Sequence, residues 1–134
     1  MRSMSLLLLT AALGACVGGP PPDRTAKAQA NLDRLLAGKV AAQPISCLPH
    51  YNARDMIVID DGTVVFKNGR TVYRNDFQGG TCSNLSRGNY ALVTKTPGSG
   101  LCRGDIADVR DLSAGMSVGS CVLGDFVPYT TPRG

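Results

Sequence analysis

Hydrophobic and polar positions follow three different rhythms along the chain. Leu6 to Leu13 is an apolar run interrupted only by Thr10. It is far shorter than the roughly 20 residues a helix needs to cross about 30 Å of hydrocarbon. From Ala28 the spacing changes to i, i+4, i+7 and i+8, through Leu32, Leu35 and Leu36. That spacing predicts one amphipathic helix over 24–37, capped by Asp23 or Thr25 and closed by Gly38. Beyond residue 47 the rhythm becomes alternation, broken by Gly, Pro and Asn.

Two dipeptides organise the alternating region. Asp61-Gly62 and Asn68-Gly69 are two-residue hairpin signals flanked by β-branched and aromatic residues. They predict a meander of Asp55–Asp60, Thr63–Lys67 and Arg70–Asn75. With two-residue loops, Ile59 faces Val64, Ile57 faces Phe66, Phe66 faces Thr71 and Val64 faces Tyr73. The opposite face then carries the row Val58, Val65 and Val72, with Met56, Lys67, Arg70 and Arg74 around it. Such a row is either covered by the helix or a second sheet, or left open as a partner-binding patch rimmed by positive charge. Further strands are expected at Asn89–Lys95, Ile106–Val109 and Met116–Val118, with a turn at Pro97–Gly100. A last strand is expected over Cys121–Tyr129, broken by Gly124 and stopped by Pro128. This many short strands predict a mainly β domain, α+β at the margin: a small antiparallel barrel or sandwich with one N-terminal helix.

The opening run is better read as an address than as structure. Arg2 precedes it, and Leu13-Gly14-Ala15-Cys16 ends it. A large aliphatic residue, two small residues and Cys form the pattern of a bacterial lipoprotein signal. Residues 1–15 are thus expected to be a signal peptide and Cys16 the lipidated first residue of the mature chain. Val17 in place of Asp favours the outer membrane, with the domain facing the periplasm. Residues 16–23 contain Gly18-Gly19-Pro20-Pro21-Pro22, a tether that is flexible and then stiff. The folded domain is expected over 24–129, with its β part at 47–129 and a frayed tail at 130–134.

Cysteine count agrees with export. Besides Cys16 there are Cys47, Cys82, Cys102 and Cys121. An even set without C-x-x-C predicts two disulfides rather than zinc or redox chemistry. Three pairings are open. The nested one, Cys47–Cys121 with Cys82–Cys102, ties the domain's start to its end and is the one expected.

Charge and chemistry narrow the function by exclusion. The chain carries 14 Lys+Arg against 10 acidic residues, so losing Arg2 leaves about +3. The charge is spread, which suits solubility better than attraction to anionic polymer. No basic stripe interleaves with aromatics, which argues against nucleic acid. All ten acidic residues are Asp, which favours turns and caps over long helices. The single histidine, His50, lies in Pro49-His50-Tyr51 and no Ser has a nucleophile-elbow context. Asp60-Asp61 is explained by its turn. Asp105, Asp108 and Asp111 recur every third residue without a calcium-loop pattern. No metal, cofactor or catalytic set is expected.

Several blocks together resemble a family of small exported proteobacterial proteins catalogued only as a domain of unknown function. They are Arg54-Asp55 ahead of Ile59-Asp60-Asp61-Gly62-Thr63-Val64-Val65-Phe66; Tyr73-Arg74-Asn75; Cys82 with Leu85; Leu101-Cys102 with Asp105-Ile106; and Gly119 to Phe126. The resemblance covers about residues 47–128. It implies a compact domain with the same four cysteines, and no activity, ligand or catalytic residue. The expected function is a non-catalytic envelope lipoprotein that binds a protein or an anionic envelope polymer. The alternatives are a small-ligand or enzyme-inhibitor module, and a hydrolase using His50 or the three spaced aspartates.

Overall fold

A computed structural model of the chain describes residues 24–133. The expected signal peptide at 1–15, Cys16, the expected tether at 16–23 and the capping alternative Asp23 lie outside the described residues. Within them the protein is mainly β, with one helix, antiparallel sheets and two disulfides. The sheets form an open sandwich and do not close into a barrel.

Helix α1 spans Ala26–Leu36. Thr25 is its N-cap, with the side-chain oxygen accepting from the Ala28 N–H at 3.2 Å. Gly38 follows with φ +68, as expected for a left-handed residue just past a helix end. The strands are β1 Val40–Ala41, β2 Cys47–Pro49, β3 Met56–Val58, β4 Thr63–Asn68, β5 Thr71–Asp76, β6 Tyr90–Thr94, β7 Gly100–Cys102, β8 Ile106–Asp111, β9 Ser117–Val122 and β10 Phe126–Thr130. They build a five-stranded sheet in the order β1-β10-β5-β4-β3, a three-stranded sheet β6-β8-β9 and a two-stranded ribbon β2-β7.

The meander exists, but both registers differ from the expected ones. In the second hairpin Asn68 pairs with Thr71, so the loop is Gly69-Arg70 rather than Asn68-Gly69. Gly69 takes positive φ at the first loop position. Every pairing between β4 and β5 therefore slips by two, which preserves the faces. In the first hairpin Val58 pairs with Val64 and Met56 with Phe66. That is a slip of one, which exchanges the faces of β3. Met56 and Val58 join Val64, Phe66 and Tyr73 in the main core, while Ile57 and Ile59 join Val65 and Val72 on the other side. The cause is the turn. The Ile59 and Asp60 N–H groups both point at the Thr63 carbonyl, and Asp60 Oδ1 accepts from the Gly62 N–H, giving a longer loop than two residues.

Two cores result, one on each side of the large sheet. Between the sheets lie Leu48, Val64, Phe66, Leu101, Val109, Leu123 and Phe126. Outside the large sheet, Ala28 and Leu32 of α1 cover Ile59, Val65 and Val72, with Leu35, Leu36 and Ile57 packed around them. The layers are thus helix, large sheet, small sheet. Each fully buried aliphatic side chain contributes about 1.5–3 kcal/mol.

Gly124 separates β9 from β10, so the expected last strand is two strands in different sheets. Here the chain crosses from the small sheet to the large one. A Cβ on Gly124 would overlap the Asp76 carbonyl oxygen, so only glycine fits. The Asn75 side chain, fully buried, holds the crossing: its amide donates to the Gly124 carbonyl at 2.8 Å and the Asp125 carbonyl at 3.3 Å, and its oxygen accepts from the Gly124 N–H at 3.1 Å. Pro128 does not stop the strand, which runs to Thr130, inside the stretch expected to fray. Its carbonyl accepts from the Ala42 N–H, so its missing N–H falls on the side of the irregular Gln43-Pro44 stretch and no ladder bond to β5 is lost.

The disulfides are interleaved, not nested: Cys47–Cys102 and Cys82–Cys121. Cys47 and Cys102 are direct partners in the β2-β7 ribbon, a pairing between distant segments that spacing could not supply. Cys82 is fully buried beside Cys121, whereas Cys47 is exposed.

Asn75→Ala leaves the Gly124 peptide groups without partners and should cost about 2–4 kcal/mol in chemical denaturation; a change under half a kcal/mol would show that the crossing is held by other contacts. Mild reduction followed by alkylation and peptide mapping should label Cys47 and Cys102 before Cys82 and Cys121. Losing the buried pair should cost about 2–5 kcal/mol.

Candidate functional site

The valine row, which could be either covered or open as a partner patch, is not a surface. Val65 and Val72 are 0% and 1% exposed beneath α1, and Val58 sits on the opposite face against the main core. Of the basic rim, Lys67 and Arg70 are exposed. Arg74 pairs with Asp76 at 2.9 Å. The predicted helix covers two of the three valines of the predicted row, Val65 and Val72.

Beside that helix lies a cleft of about 470 Å³. Its wall is a chain of polar contacts. Arg24 Nε donates to Asp60 at 2.5 Å and another of its nitrogens donates to Thr63 Oγ at 2.6 Å. Thr63, 1% exposed, donates in turn to Asp76 at 2.5 Å, and Asp76 holds Arg74. Across the cleft, Asp61 accepts from the backbone N–H groups of Asn84 and Ser86, fixing the loop after β5. The loop aspartates therefore have structural partners: Asp60 clasps the start of α1, and Asp61 anchors the segment holding Cys82. Both arginines are matched by aspartates, so the cleft works as a clasp between helix and sheet.

The remaining expected candidates are dispersed. His50 is exposed, with a ring nitrogen 3.2 Å from the Gly98 carbonyl. Asp105 accepts from the Cys102 N–H, and Asp111 accepts from the Ser113 and Ala114 N–H groups. Asp108 lies between them in β8. Among the described residues no group of three or more His, Cys, Asp or Glu is placed to hold a metal ion.

The feature that sequence reading missed is the outer face of β6-β8-β9. Tyr90, Leu92, Ala107 and Val109 point into the main core. Their alternates, Ala91, Val93, Ile106, Asp108 and Arg110, point away from it. Seven large hydrophobic residues are exposed among the described ones, and five of them belong to this sheet or its β8-β9 loop: Val93, Ile106, Leu112, Met116 and Val118. Ile106 is 62% exposed at the start of β8. The large sheet has α1 on its outer side; among the described residues nothing covers the outer side of the small one. The alternation of Ala91 and Val93 against Tyr90, Leu92 and Thr94 was legible, but alternation alone does not say which side is covered.

Compared with family models, with curated proteins and with solved structures, the chain matches none.

The clasp has a measurable share in docking the helix. The side chains of Arg24 and Asp60 are 17% and 23% exposed, so a double-mutant cycle with Arg24→Gln and Asp60→Asn should give a coupling of about 1 kcal/mol. Amide exchange in α1 should accelerate in either single variant while the β4 and β5 amides stay protected; unchanged exchange in α1 would mean that Leu32 and its neighbours hold the helix alone.

Proposed function

We propose that this protein is a non-catalytic binding module of the bacterial envelope, anchored through Cys16, which presents the outer face of β6-β8-β9 to a protein partner. The observation that carries the reading is the concentration of five exposed large hydrophobic residues on that one sheet and its loop. The signal pattern ending at Cys16 and the two disulfides support an address outside the cytoplasm.

Charge separates the classes of partner. A polyanion needs a positive field, and this face places Asp108 beside Arg110 on β8, one of each sign. Mixed charges around an apolar centre suit a protein surface. Position argues against the bilayer as the partner. The chain enters the fold at Arg24, on the helix side of the large sheet, and the small sheet's outer face lies on the far side of the sandwich. Eight tether residues, 16–23, span at most about 26–29 Å. A lipid on Cys16 would therefore hold the helix side nearer the bilayer and leave the apolar face turned towards the compartment.

The test is photo-crosslinking in living cells from the full chain, with the crosslinker at Ile106 or, as a control, at exposed Lys67. One dominant protein adduct from Ile106 and none from Lys67 is the expected result. Equal adducts from both positions, or none from Ile106, would remove this face as the working surface. In the same cells Cys16→Ser should move the protein from the membrane fraction to the soluble one; if it stays with the membrane, the lipid-anchor part of the reading is wrong.

A further inference from the structure

A second feature stands apart from that face. In the large sheet β3 is an edge strand, and in the small sheet β6 is an edge strand. The two belong to different sheets, are not paired with each other, and both contribute to one lining. Between them is a notch of about 240 Å³. Its walls are Ala53, Met56, Phe66, Leu92 and Leu101. Phe66 and Leu101 are buried in the main core and form the floor, while Met56 and Leu92 are half-buried.

The mouth is polar and positively charged. His50 and Thr94 lie at the rim, and His50 is tied to the turn opposite through its N–H to the Ser99 carbonyl at 3.1 Å and its ring nitrogen beside the Gly98 carbonyl. Arg54 also lines the mouth and is exposed. Arg24, Arg74 and Arg103 each hold an aspartate. Arg54 holds none among the described residues, so its planar set of donors is available at the opening of an apolar recess.

We propose that this notch is a binding site for a small anionic amphiphile, a carboxylate carrying one short alkyl chain or one aromatic ring. The apolar part would lie against Met56, Leu92 and Leu101, and the carboxylate would meet Arg54. Size sets the class. An apolar cavity of about 150 Å³ accepts a benzene ring, so this notch accepts one ring or one short chain and not the paired chains of a phospholipid. Charge sets the head group, because a guanidinium matches a carboxylate through two parallel hydrogen bonds.

The experiment is a methyl-resolved NMR titration of the chain from residue 16 onward, oxidised, carrying Cys16→Ser so that no lipid or detergent competes. Octanoate should shift the methyl signals of Ala53, Met56, Leu92 and Leu101 saturably. From butanoate to octanoate the affinity should rise about 3- to 4-fold per methylene, then level off once the chain fills the notch. Arg54→Gln should weaken octanoate about 2- to 5-fold at an unchanged melting temperature, because the pair is solvent-exposed. Leu92→Phe, which fills the notch from a half-buried position, should abolish binding. The proposal is overturned if millimolar octanoate moves none of these methyls, if the shifts fall on Ile106 and Val118 instead, or if octylammonium binds as well as octanoate. Shifts at Ile106 would leave the outer face of the small sheet as the one sticky surface. Binding in the notch would leave the protein-partner reading of that face untouched.

Discussion

The architecture turns on one buried amide. Asn75 is fully buried near the end of β5 and occupies a position where a hydrophobic residue would fit by volume. Its side chain instead acts as a piece of backbone, accepting from and donating to the peptide groups around Gly124. Without it, the chain leaving the small sheet would bury N–H and C=O groups with no ladder to join. A buried peptide group left unpaired costs about 1–3 kcal/mol, a large fraction of the stability of a domain this size. Because Asn75 meets that demand, Gly124 can pass against the Asp76 carbonyl, Phe126 can enter the core, and β10 can take its place between β1 and β5. The two sheets are joined here, and again where the Gln78 N–H donates to the Val122 carbonyl.

What could be read in advance was what neighbouring residues decide among themselves. The α1 periodicity, its Thr25 cap and Gly38 stop, and the positions of β4 and β5 all follow from residues within a few places of one another. Errors began where distant residues decide. The β3-β4 loop looks like a two-residue Asp-Gly hairpin, but it closes as the longer turn on the Thr63 carbonyl, and its aspartates also meet distant partners, Arg24 and the loop of Asn84 and Ser86. That moved the register by one and exchanged the faces of β3. The β2-β7 ribbon joins segments some fifty residues apart, and neither has an alternating pattern long enough to announce itself. The disulfide pairing followed the ribbon and was hidden for the same reason.

The candidate surfaces show the same division. In a one-dimensional reading the row of valines could be either covered or open, and the fold splits it: α1 covers Val65 and Val72, and the main core takes Val58. The outer side of β6-β8-β9 looked like ordinary alternation, and no element of the described chain reaches it. Whether an apolar face is core or surface depends on which layer comes next, and layers are assembled from segments far apart in sequence. The notch between β3 and β6 is a further product of assembly. It exists because two short edge strands from different sheets meet without pairing, leaving Arg54 above Leu92 and Leu101.

The interleaved disulfides have a consequence for how the molecule is made. Each bridge encloses one cysteine of the other, so no two consecutive cysteines are partners. A chain that emerges N-terminus first into an oxidising compartment offers Cys47 and Cys82 together before Cys102 and Cys121 have appeared. An oxidant that joins whatever thiols it meets first would trap a bond the finished fold cannot keep. For a chain exported in that order, maturation would depend on a free thiolate attacking that early bond and passing it on, with the β2-β7 ribbon as the template for the final exchange. On that route the yield of correctly bridged protein would be set by isomerising capacity more than by oxidising power.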